Sequence, residues 1–284
     1  MSLYTSTTGV GGILPDDFGQ LIVKPVTRTS LAFQLSTVVQ TGANEFHVPI
    51  LNEDPTAAFV AEGAEITADD VVLSEEIVKP AKVAALSVVS REMANDSSPS
   101  AQDIIGAAIA RDLARAIDAA YFGTWTSGPA PKGLGNLTPT EVTGTDAAYT
   151  NLDLFEEAIL NAETNGTPLT AFVTSKATAK SLLQLKDESG SNRPLLGVDA
   201  TSPTRRTILG VPLYVSPHVE ATDNLVWGIP QSRSLVVHRE GAELAVDRSV
   251  YFTSDRVAIR GVMRLTFAFP DEAAVQKVTT AASE

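Results

Sequence analysis

From Arg256 to Phe269 the sequence alternates without a break. Val257, Ile259, Gly261, Met263, Leu265, Phe267 and Phe269 fall on one side; Arg256, Ala258, Arg260, Val262, Arg264, Thr266 and Ala268 fall on the other, until Pro270 ends the run. A period of two is the signature of a strand. At ~3.3 Å per residue the run spans ~46 Å, far beyond the usual strand, and sets its arginines ~13 Å apart. Such a strand is apolar on one side and basic on the other, and it needs an element of similar length to cover the apolar side.

Residues 100–122 supply one. Ser100 and Asp103 form a capping-box pattern, and Ile104, Ile105, Ala108, Ile109, Leu113, Ala116, Ile117, Ala120 and Tyr121 recur at helical spacing until Gly123. At 1.5 Å per residue this is a rod of ~34 Å whose small residues suit close packing on a sheet. Further elements are predicted at Phe46–Leu51 and Ile77–Ser90 (strands), from Asp153 to a cap at Gly166 (helix), at Leu169–Val173 (strand) and at Ser175–Leu185 (helix). "ILGVPLYVSP" and "NLVWGIP" read as two buried strands, and "GTWTSGPAPKGLGN" as a Gly/Pro-rich loop. Pro15 opens a short helix with Phe18, Leu21 and Ile22 on one side and nothing local to bury them. With 284 residues the chain has room for about two units, each with its own core, and the second is expected to open near Ala147.

The connection between Leu51 and Ile77 has no convincing element of its own, which is unusual inside a compact domain. It also holds the charge. From residue 51 to 80 stand Glu53, Asp54, Glu62, Glu65, Asp69, Asp70, Glu75 and Glu76 against the single base Lys79, so −7 of the chain's −13 lies on one excursion. An acidic chain repels a phosphate backbone, which argues against nucleic-acid recognition as its main task. Apolar runs are broken well short of the ~20 residues of a membrane span. The absence of cysteine excludes disulfides, thiolate metal sites and thiol nucleophiles.

Chemistry-bearing motifs are missing as well. His47, His218 and His238 are scattered, with no HExxH spacing, so no metal site is expected. There is no phosphate-cradling glycine loop and no nucleophile elbow. Asp69/Asp70 and Glu75/Glu76 are adjacent, so in extended chain they point to opposite sides and cannot flank one bond. No catalytic residue and no cofactor is expected. Protrusions that cannot bury themselves become ordered on neighbours, which points to a subunit of a large assembly.

The blocks "GGILPDDFGQLIVKPVTRTS", "FVAEGAEIT", "VVSREMANDS", "GTWTSGPAPKGLGN", "LGVPLYVSP" and "LVWGIP" resemble, in this order, those of tailed-bacteriophage major capsid proteins of the Hong Kong 97-type fold, over about Gly11 to Phe269. The resemblance implies an α+β chain with an N-terminal arm (1–44), an extended β-hairpin loop (45–84), a peripheral domain in two parts (85–140, with the spine helix, and 229–284, with the long strand), and an axial domain (141–228). It places a hairpin around Glu240-Gly241 before the long strand. It further implies a structural protein that forms pentamers and hexamers of an icosahedral head around double-stranded DNA, located in the virion and assembled in the host cytoplasm. Its partners would be other copies of itself, packaged DNA contacted non-specifically, and separate scaffolding, portal and decoration proteins, with no membrane. An encapsulin-type nanocompartment shell resembles the same fold and is the alternative.

In such shells the extended loop crosses the neighbouring subunit. The acids Glu62, Glu65, Asp69 and Asp70 of one copy are therefore candidate contacts for Arg256, Arg260 and Arg264 of the next; the alternatives are that these arginines only solvate their strand or meet the genome. Two departures stand out. No lysine lies between Lys24 and Lys79, and neither Asn nor Glu lies from Leu244 to Pro270, so the Lys–Asn isopeptide bond that welds some relatives is not expected. The arm motifs begin within a dozen residues of Met1, so a scaffolding segment is expected to be separate or removed.

Overall fold

The computed structural model describes residues 26, 30–53, 59–61, 63, 72–90, 92, 101–125, 128–188, 191, 193–196, 206–247 and 249–281. The expected helix at Pro15 lies outside them.

The alternation at the C-terminal end forms β11 (Arg256–Ala268), the inner strand of a four-stranded sheet ordered β1-β10-β11-β4. Here β1 is Thr37–Gln40, β4 is Ala81–Ser90 and β10 is Leu235–Asp247. β11 is antiparallel to both neighbours, and β1 runs parallel to β10. The helix predicted at 100–122 is α2 (Ala101–Phe122), laid along the apolar face of this sheet. The fit is tight at Gly261: a Cβ there would stand 2.5 Å from Cγ2 of Ile109. Glycine at this inward position lets helix and strand approach.

A short helix, α1 (Leu31–Leu35), precedes β1 and buries Ala32, Phe33 and Leu35. Its N-terminus is capped by Asp118 of α2, whose carboxylate accepts from Ser30 Oγ at 2.6 Å and from the amides of Leu31 and Ala32 at 3.1 Å. Residues 30–36 of the expected arm thus belong to the chain's own core, and residues 37–40 pair with its sheet.

The second sheet has six strands in the order β5-β12-β9-β6-β8-β7. These are β5 (Thr140–Thr143), β6 (Ala171–Thr174), β7 (Thr207–Ile208), β8 (Val211–Val215), β9 (Val226–Ile229) and β12 (Gln276–Thr279). It draws strands from both sides of residue 228, because the chain's end returns to lie between β5 and β9. Helices α3 (Asp153–Thr164) and α4 (Lys176–Leu183) contribute Phe155, Ala158, Ala162, Ala179 and Leu182 to its burial. Gly166, at φ 75°, closes α3 as expected. One apolar cluster runs from the four-stranded sheet through α2 to Val173, Trp227 and Ile229, joining the two sheets.

Two expectations are corrected. The run Ile77–Ser90 is not one strand: it breaks at Lys79-Pro80 into β3 (Val72–Val78) and β4, since proline has no N–H for the ladder. No hairpin turns at Glu240-Gly241 either. β10 passes through them, and register shifts between His238 and Glu243 against β11 absorb the extra residues as bulges.

Candidate interface surface

The outward face of the four-stranded sheet carries the basic row. Arg260 stands between Ala245 of β10 and Leu86 of β4, Arg256 faces Ser90, and Arg264 faces Glu240 on one side and Lys82 on the other. Arg256 and Arg260 are exposed and Arg264 is half-buried. Asp247, diagonal to Arg260, accepts from the Ser249 hydroxyl and amide at 2.6 and 2.7 Å. These bonds first, and Arg260 in smaller part, hold its carboxyl below the usual range. Arg260 is thus partly answered by an acid of its own chain.

Beside the arginines lies apolar surface. On β4 the inward residues Val83, Ala85 and Val89 pack on the core, while Leu86 and Val88 face out, 61% and 36% exposed. A strand apolar on both faces at a sheet edge invites cover from another chain.

β2 (Phe46–Glu53) and β3 pair antiparallel as a two-stranded hairpin. Phe46, Val48 and Val78 seat its root on Leu235 and Ala268, at the C-terminal end of the outer sheet face. The other side shows His47, Pro49, Leu73, Glu75 and Ile77 to solvent. His47 Nδ1 contacts Glu75 Oε1, and Lys79 pairs with Glu45 at 2.8 Å. At the root Glu76 is half-buried. Burial raises its pKa against the Phe269 amide that donates to it and the nearby positive charge of Lys132, with the negative charge of Glu272 adding to the rise. Burial also pushes Glu272 up, but hydrogen bonds from Lys132 at 2.6 Å and from the Thr138 amide and hydroxyl at 2.7 and 2.9 Å outweigh it, and the net shift is down.

Of the residues singled out from sequence, Arg256, Arg260 and Arg264 come together on one face. Glu62, Glu65, Asp69 and Asp70 lie outside the described residues. Sequence reasoning missed Leu86 and Val88, whose signal was the apolar content of both faces of residues 81–90. It also missed Asp118, whose partners lie 86–88 residues away. Among the described residues no cluster of His, Cys, Asp or Glu is arranged to hold a metal ion, and no helix is long and apolar enough to cross a membrane. The surface offers charge and apolar area for protein contact.

The family model described as the phage capsid family matches residues 10–280. Among solved structures, the capsid of an empty GTA particle is similar at a TM-score of 0.75 and 16% identity, over 99% of this chain and 96% of that one. A capsid chain of the native GTA particle is similar at 0.70 and 18%, over 99% and 96%. Mycobacterium phage Adephagia is similar at 0.73 and 14%, over 90% and 91%. No curated protein matches by sequence. At these identities the structural likeness is one of fold.

Proposed function

Because this chain belongs to the phage capsid family and has its Hong Kong 97-like fold, we propose that it self-assembles into the pentamers and hexamers of an icosahedral tailed-phage head that encloses double-stranded DNA. A viral shell subunit of this family is a structural component of the capsid. In the proposed assembly, the hairpin of one copy crosses the outer sheet face of the next, and Asp69 and Asp70 answer Arg256 and Arg260. The observation that carries the reading is the hairpin: its root is seated on its own sheet, yet Leu73 and Ile77 remain 69% and 50% exposed. That surface has a use once a neighbour covers it.

Each exposed ion pair contributes only ~0–1 kcal/mol, so a single pair decides nothing. Repeated at every contact of a closed shell, the same pairs select register and partner. The test is electron microscopy of the purified protein and of Arg260→Glu at two salt concentrations. Wild type is expected to give shells, tubes or capsomers. Arg260→Glu is expected to assemble less, most of all at low salt where the new repulsion is unscreened, and an Asp69→Lys, Asp70→Lys partner change is expected to restore it. Assembly of Arg260→Glu indistinguishable from wild type removes the electrostatic contact. Small uniform particles holding a cargo peptide would favour a nanocompartment shell over a phage head.

A further inference from the structure

Phe59 is the most anomalous side chain among the described residues. It stands on the excursion between β2 and β3 and is fully exposed at 110%, with Val60 beside it at 43%. An aromatic ring held wholly in water next to a second apolar residue is the profile of an anchor for a partner pocket.

A fitting pocket exists elsewhere on the surface. A cavity of about 240 Å³ opens between the C-terminal half of α2, the start of β4 and the loop after α2, lined by Val83, Ile117, Trp125, Pro129, Pro131 and Leu265. Its lining is almost wholly apolar, and Trp125 is half exposed at its mouth. Gly133 holds the loop against the helix end: a Cβ there would stand 2.1 Å from the Ala120 carbonyl oxygen. The polar group in the lining is Lys82, exposed on β4, so one cation stands at the entrance. In sequence Phe59 is followed by Glu62 and Glu65. An aromatic residue leading two acids complements an apolar hole with a base at its rim.

We propose that Phe59 of one copy inserts into the Trp125–Pro131 pocket of a second copy, with the acids that follow it meeting Lys82. This rests on the reading of the hairpin as the element that reaches a neighbour, and it adds the anchor and the pocket that seat it. Desolvating one ring in a preformed hole fixes one point of the contact, to which the exposed charge pairs add register.

The cysteine-free chain permits a clean test. Full-length protein carrying Phe59→Cys and Ala130→Cys is assembled, oxidised gently and run without reductant, in parallel with protein carrying Asp69→Cys and Arg260→Cys. A ladder of covalent multimers from the first pair is the expected result. Multimers from the second pair alone overturn the pocket and leave the hairpin reading standing. Absence of cross-links in both pairs, in shells seen to form, removes both. A product confined to single chains from the first pair overturns the proposal in favour of self-contact. Fluorescence of unaltered protein gives a second readout that needs no variant. Trp227 is already buried at 3%, so a blue shift on assembly reports cover over Trp125. Unshifted emission in assembled shells overturns the proposal.

Discussion

Asp118 sits on the spine helix but acts on a different one. Its carboxylate takes hydrogen bonds from one hydroxyl and two amides at the start of α1, and burial raises its pKa against those three bonds. Removing it leaves three donors unsatisfied in a buried place. Asp118→Ala is expected to cost about 1–3 kcal/mol for each buried group that water cannot reach, read as a lowered denaturation midpoint. Glu76 makes the opposite case. Its pKa is raised, so the folded chain holds this proton over a pH window where the unfolded chain has released it, and the group's contribution to stability falls as pH rises through that window. Glu76→Gln is therefore expected to raise Tm at neutral pH, with the difference closing on acidification below the raised pKa. A constant difference across that range would show that Glu76 is not the titrating group. Neither residue is legible in the sequence, because each is defined by what a distant segment places against it.

At the scale of elements, the packing of α2 on β11 turns on one absent side chain. Gly261→Val drives its Cβ into Ile109, so the helix must lift or the strand must bend, at a cost of roughly 1–3 kcal/mol. The expectation is a lower Tm with the far-ultraviolet spectrum kept, measured by circular dichroism; pairing it with Ile109→Ala should recover part of the loss. Elements whose burial follows a simple period were readable from residues alone: α2 and β11 appear within a residue or two of their predicted bounds. Elements defined by breaks were not. Glu240-Gly241 has turn chemistry but sits in a bulge, because β10 needs extra residues to stay paired along all of β11. Pro80 carries the opposite lesson: a largely apolar run still ends where one amide is missing. The candidate site was half legible. The arginine row follows from alternation, whereas the Trp125 pocket is built from three segments that no local pattern links.

For the whole molecule, the proposed contacts set attraction at particular faces between copies that each carry −13 overall. Net repulsion among like-charged copies opposes indiscriminate clumping, and attraction survives only where an acidic excursion meets a basic face. Salt weakens both, since charges beyond ~8 Å are largely screened at physiological ionic strength. Arg260→Glu is thus expected to assemble worst at low salt and to gain as salt screens its added repulsion, the reverse of the salt response of the wild-type contact. The apolar cluster shared by both sheets through α2 has a mechanical consequence. Pressure from within a closed container would load each subunit as a stiff plate, since neither sheet can tilt without tearing the rod between them. Compliance is left to the hairpin root, so a shell that swells should do so by flexing its seams while its tiles keep their shape.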